Sequence, residues 1–149
     1  LEPCLVDGDP HLLTRAAENL LDNALRYTPS GGRVRIGCGA GPDRVTFSVA
    51  DSGPGVPPQD MPHLFAPLFR GETSRNRRTG GAGLGLTIAR RILLAHDGDL
   101  TVRIGDAGGA VFEAVLPSPR SASADPIPAN GRTPTSRSGS TAAVLAERG

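Results

Sequence analysis

The chain has 149 residues, a formal net charge of +1 and 3% aromatic residues. That length supports one domain with a modest core of Leu, Val, Ile and Ala, and so small a charge gives no basis for nucleic acid or an anionic membrane surface as the main partner. No run approaches the roughly 18 apolar residues of a membrane-crossing helix and no basic-then-apolar leader opens the chain, so no membrane contact is expected of this segment.

The sequence starts at Leu1, not Met, and opens as "LEPCLVDGDP", which reads as a piece of a longer protein entered partway through a strand. Cys4 and Cys38 each sit in an apolar, strand-like context and are expected to be reduced and buried. Asp9 as N-cap and Pro10 at the first helical position predict a helix that stops at "TPSGG". Leu13, Ala16, Leu20 and Ala24 recur on it at helical spacing as its apolar stripe. Asn19 and Asn23, four apart, share another face, which Arg26 and Tyr27 extend by a turn. An amide oxygen is a neutral hard ligand suited to Mg²⁺, and the same pair read alone is equally compatible with surface amides.

"RVRIGCGA" and "RVTFSVAD" alternate apolar and polar residues through Val34, Ile36 and Cys38, then Val45, Phe47 and Val49. They predict two strands joined as a hairpin through "GPD". Asp51 ends the second strand and runs into Gly53 and Gly55; an ionised carboxylate there is either a turn former or an acceptor for an amine such as adenine N6. The next segment is broken by prolines and glycines. It has room for one short helix around Met61 to Phe65, has Phe65 and Phe69 as packing anchors, and is long enough to be functional or mobile. Arg70, Arg75, Arg77 and Arg78 follow, suited either to polyphosphate or to a solvated loop face.

"TGGAGLGLTIARRI" then feeds a glycine run straight into a helix, a form suited to an anion at a helix N-terminus or to plain close packing. Leu84, Ile88, Ile92 and Ala95 are its expected apolar face, ending near "HDGD". "DLTVRIGD" and "GAVFEAVLP" predict two more strands with a glycine-rich turn between them. From Pro117 the composition turns to Ser, Pro, Thr, Gly and Arg, so 1–116 is read as the folded domain and 117–149 as a disordered tail, with a helical turn or two in "TAAVLAERG". The element order favours an α+β fold: a two-layer α/β sandwich with a mixed, mainly antiparallel sheet and helices on one face.

Asn-x-x-x-Asn on a helix, Asp-x-Gly-x-Gly after a strand, Phe-x-x-x-Phe-Arg, and Gly-x-Gly-x-Gly-Leu opening a helix occur in that order over roughly residues 5 to 116. With "NLLDNALRYTP", "DSGPGV", "LFAPLFRG" and "GGAGLGLTIARRI" in place, the chain resembles the catalytic and ATP-binding domain of sensor histidine kinases. That domain shares a Bergerat-type fold with type II topoisomerases, heat-shock chaperones and mismatch-repair ATPases. The resemblance implies ATP and Mg²⁺ as ligands. Asn23 would be the metal ligand, Asn19 a second amide near metal and phosphates, and Arg26 and Tyr27 contacts to phosphate and nucleotide. Asp51 would read adenine N6 over a floor shaped by Gly53 and Gly55. Gly81, Gly83, Leu84 and Gly85 would give backbone contacts to phosphates, with Arg70 and the loop to Gly80 as the ATP lid. The implied partners are a dimerisation and histidine phosphotransfer module of a homodimeric parent and a response regulator. The implied location is cytoplasmic, whether or not the parent is anchored in the cell membrane.

In relatives that hydrolyse ATP, the residue four before the metal-binding Asn is a Glu placed to activate water. Here it is Asn19, and Glu18 is turned about 100° away from that face. Slow intrinsic hydrolysis and γ-phosphoryl transfer to a partner's histidine are therefore implied, with positioning and charge stabilisation supplying most of the rate. His11, His63 and His96 all lack the helical surroundings of an acceptor, so this segment is expected to bind ATP without labelling itself. Asp97 stands where the family usually has Gly and reads as turn chemistry. Two alternatives of the same fold are a serine kinase and anti-sigma factor, and a degenerate nucleotide-binding interaction module.

Overall fold

The computed structural model describes residues 4–69, 83–106, 108–119 and 142–144. A short strand β1 (Leu5–Asp7) leads into helix α1 (Pro10–Tyr27). Asp9 caps that helix as its position suggests, Oδ1 accepting from the His11 and Leu12 N–H groups at 2.8 and 3.2 Å, which satisfies two of the donors a helix start leaves open. Strands β2 (Val34–Ala40) and β3 (Arg44–Asp51) form the expected hairpin, closed by the Gly41 N–H on the Arg44 carbonyl. A 3₁₀ turn at Met61–His63 stands where a short helix to Phe65 was expected; Pro62 and the prolines around it deny the segment the successive donors a longer helix needs. Helix α2 (Gly85–Ala95), β4 (Asp99–Ile104) and β5 (Ala110–Pro117) follow, and β6 is Ala142–Val144.

The main sheet has the order β2-β3-β5-β4, and every pairing between described strands is antiparallel. Both helices lie on one face of it, α1 against α2 and β3, and α2 against β4 and β5. The core between the layers is Leu13, Ala16, Leu20 and Ala24 of α1, Ala89, Ile92 and Leu93 of α2, Val45 and Val49 of β3, Leu100 of β4 and Phe112, Ala114 and Leu116 of β5. The α1 stripe is thus the one its spacing predicts. The α2 stripe differs, because Thr87, Ala89, Ile92 and Leu93 are buried while Leu84 and Ala95 are exposed. Leu84 precedes the helix, and the Thr87 hydroxyl donates to the Phe65 carbonyl at 3.0 Å, turning α2 toward the 61–69 segment. Ile36 points toward the helical layer in register with Val49 yet stays 45% exposed, since among the described strands β2 is the sheet edge.

At the C-terminal end of α2, His96 is tied by both ring nitrogens: Nδ1 to the Ile92 carbonyl at 2.7 Å and Nε2 to the Asp9 N–H at 3.1 Å. A carbonyl opposite Nδ1 and an N–H opposite Nε2 require the neutral tautomer protonated on Nδ1. The ring thereby joins the end of α2 to the start of α1. Asp97 follows at φ +57°, in the left-handed region that Asp tolerates better than most residues. Cys4 and Cys38 are both free thiols, Cys4 buried and Cys38 half-buried. Burial and a hydrogen bond with Cys4 push the Cys38 thiol up to about 12. In the stretch expected to form a helical turn, residues 142–144 are instead extended and pair antiparallel with β1, Val6 opposite Ala143. The bonds of β1 select an extended partner there, which local propensity does not foresee.

Candidate functional site

Helix α1 carries the first part of the site. Asn19 and Asn23 are half-buried and one turn apart, and Asn19 meets α2. A Cβ added at Gly85, the first residue of α2, would lie 3.2 Å from Asn19 Oδ1, so the amide rests against the start of that helix and a larger residue there would press it aside by a few tenths of an ångström. The Asn19 Nδ2 is buried and has no hydrogen-bond partner among the described residues. An unmet buried donor costs about 1–3 kcal/mol. The side chain that carries it packs by Oδ1 against the start of α2, whose first turn leaves N–H groups open, so this end of the site has a partial positive charge, fit for an anion.

Asp51 anchors the other end. It is 8% exposed, and its Oδ1 accepts from the Gly53 N–H at 2.8 Å and the Ala110 N–H at 3.2 Å. Both bonds fall on one oxygen, which leaves Oδ2 as the acceptor for a ligand. Gly53 meets the end of α1, since a Cβ there would lie 2.6 Å from the Tyr27 carbonyl oxygen and 2.9 Å from Asp51 Oδ1. Gly55 has φ +75°, and its missing Cβ faces Gly109 and Ile104 at 3.4 Å. Tyr27 therefore lies beside the acceptor end, about 12 Å along α1 from Asn19. An acceptor at one end and donors at the other suit an amine-bearing base joined to phosphates.

The approach to the start of α2 is also built. Gly83 has φ +69°, a Cβ there would lie 2.9 Å from the Phe69 carbonyl oxygen, and the Leu68 N–H donates to the Gly83 carbonyl at 3.2 Å. Leu84 is 38% exposed at the helix start. Arg90 of α2 lies 5.0 Å over the Phe65 ring and 3.2 Å from Asp99, a cation–π contact and ion pair that fasten the 61–69 segment to the fold. Among the predicted site residues, Asn19 and Gly85 meet, as do Tyr27, Asp51 and Gly53. Asn23 makes no side-chain hydrogen bond to another described residue, and Arg26 is exposed at the end of α1. Arg70 and Gly81, with Arg75, Arg77 and Arg78, lie outside the described residues. Gly109 and Ala110 were not legible as site residues. Their signal, the paired glycines of "GDAGGAVF", reads locally only as a turn.

Among the described residues no group of three or more His, Cys, Asp or Glu could hold a metal ion, and no helix is long and apolar enough to cross a membrane. The donor set fits a cation only through an amide oxygen together with oxygens of a bound phosphate, the hard-ligand surroundings that Mg²⁺ accepts.

In this two-layer fold α1 meets both the start of α2, through Asn19 and Gly85, and the glycines that follow β3, through Tyr27 and Gly53. The chain belongs to the histidine kinase-, DNA gyrase B- and HSP90-like ATPase family, whose model matches residues 8–120. Within it the similarity is to sensor histidine kinases. The chain is 40% identical over 117 residues to the sensor histidine kinase CusS of Escherichia coli K12, covering 78% of this chain and 24% of that one. It is 42% identical over 115 residues to BaeS, a signal transduction histidine-protein kinase of the same strain, covering 77% and 25%. Among solved structures, the mycobacterial sensor histidine kinase MprB superposes with a TM-score of 0.70 at 36% identity, covering 76% of each chain. Full-length ShkA in complex with AMPPNP gives 0.60 at 34% identity, over 72% of this chain and 21% of that one. The chain thus spans about a quarter of the length of these curated relatives.

Proposed function

We propose that this domain is the catalytic half of a protein-histidine kinase. It binds Mg²⁺–ATP and presents the γ-phosphoryl group to a histidine on a separate dimerisation and phosphotransfer module, from which the group passes to a response regulator. The observation that carries this reading is Asn19, which packs by Oδ1 against the first residue of α2 and whose buried Nδ2 has no partner among the described residues, a donor that a phosphate oxygen would complete. Asp51 Oδ2 accepts from the adenine amine, while Gly53 and Gly55 let the backbone approach the base. Asn23 offers its amide oxygen to the metal, and Gly83, Leu84 and Gly85 offer backbone N–H groups to phosphate. The bound Mg²⁺ supplies charge neutralisation for in-line transfer. Asn19 in place of a Glu leaves the site without a carboxylate to activate water at that position, so the phosphoryl group is kept for the partner histidine.

Calorimetric titration of Mg²⁺–ATP into the chain tests the reading, beside Asp51→Asn and Asn23→Ala. Saturable binding that weakens in both supports it, and binding that survives both unchanged refutes the assignment of base and metal. With the full parent protein, acid-labile phosphohistidine is the expected product; transfer to serine refutes the histidine-kinase assignment.

A further inference from the structure

Asp51 is held from a distant part of the chain. The β3–β5 ladder runs in register until Ala50 lies opposite Val111 and ends there. At the next position, where a backbone carbonyl would serve as acceptor, the Ala110 N–H donates to the Asp51 Oδ1. Gly109, just before it, is buried at φ +75°; a Cβ there would lie 3.1 Å from Asp51 Oδ1 and would collide with the Asp51 backbone oxygen. The Gly105 N–H holds the Gly109 carbonyl at 3.1 Å, and the missing Cβ of Gly55 faces that same carbonyl at 3.4 Å. The turn between β4 and β5 therefore lies against both the carboxylate and the glycine segment that follows it.

The bond from Gly53 to Asp51 is a local Asx-type turn, two residues along the chain. The χ2 torsion of an Asp is broad, so one bond to Oδ1 leaves a range of carboxylate planes open. A second donor, 59 residues away in sequence and arriving from another strand, narrows that range and fixes the direction in which Oδ2 faces. We infer that Gly109 and Ala110 are positioning residues for base recognition: they orient the Asp51 carboxylate so that the site distinguishes a purine nucleotide bearing an exocyclic amine from one lacking it. This rests on the reading of Asp51 as acceptor for the adenine amine.

The test compares the affinities of the 149-residue chain for ATP and for purine riboside triphosphate, which has hydrogen in place of the amine, both with Mg²⁺. Wild type should prefer ATP by about ten- to a hundred-fold, the range for a hydrogen bond to a charged group. Ala110→Pro, which removes the N–H at the first residue of a strand, where proline is tolerated, should lose most of that preference while binding purine riboside triphosphate as wild type does. Ala110→Ser, which keeps the N–H, should retain the preference. Equal weakening toward both nucleotides in Ala110→Pro would show a purely structural role and overturn the inference. Asp51→Asn separates the two levels: an unchanged preference there refutes the adenine reading itself, whereas a lost preference there with an intact one in Ala110→Pro refutes only the positioning role. A second measurement does not depend on the proline variant folding. In ¹H–¹⁵N spectra, Asp51→Asn should move the Gly53 and Ala110 amide protons upfield together, and an unmoved Ala110 signal would overturn the proposal.

Discussion

Replacing Asn19 by Ala separates a residue kept for a ligand from one kept for the fold. An ordinary hydrogen-bonded side chain, once removed, costs about 0.5–1.5 kcal/mol of stability. Asn19 has a buried Nδ2 without a partner among the described residues, so its removal relieves a penalty of about 1–3 kcal/mol. Ala also gains roughly half a kcal/mol of helix propensity over Asn in the interior of α1. Against these stands the lost packing of one short side chain against Gly85, a term of similar size for a half-buried group. The free protein should therefore melt within a few degrees of wild type or slightly above it. Binding should move the other way. A donor to a phosphate oxygen is worth about 1.5–3 kcal/mol, so ATP affinity should fall about ten- to a hundred-fold. Thermal denaturation without nucleotide and calorimetric titration with Mg²⁺–ATP read the two quantities on the same sample. A variant destabilised by more than about 1 kcal/mol with unchanged ATP affinity would refute the reasoning, because Asn19 would then belong to the core.

Gly53→Ala should weaken ATP binding at least about tenfold, because its Cβ would meet the Tyr27 carbonyl oxygen at 2.6 Å and Asp51 Oδ1 at 2.9 Å, forcing apart the two elements that frame the acceptor; the same titration checks it. Leu20→Ala, at a site 1% exposed, should cost about 2–5 kcal/mol in urea denaturation. His96→Ala removes both the acceptor of the Asp9 N–H and the donor to the Ile92 carbonyl and should cost about 1–3 kcal/mol, with ATP affinity of the folded protein unchanged. Cys38, held at about 12 from an ordinary 9.0, should resist a thiol reagent at pH 8 in the native state and react once the chain is unfolded. The native state holds that proton more tightly than the unfolded state does. Its contribution to stability is therefore complete below pH 9 and declines as pH rises from about 9 toward 12, which urea titrations at pH 8 and pH 10 should show.

Local spacing determined much of this protein. The α1 stripe of Leu13, Ala16, Leu20 and Ala24, the Asp9 cap, the hairpin through residues 41–43 and the Asp-x-Gly-x-Gly turn all depend on residues within one or two turns of each other, and the structure has them as read. The order of those motifs along the chain was enough to indicate the family. What spacing could not supply was the set of contacts made across the fold. The buried face of α2 follows from the 61–69 segment it leans on, and Ile36 is exposed because β2 is the edge among the described strands. Strand β6 exists where β1 offers it backbone partners. Above all, the donor that fixes Asp51 comes from Ala110. A backbone N–H carries no residue-specific signature in sequence, and only the closing of β5 onto β3 brings it to the carboxylate.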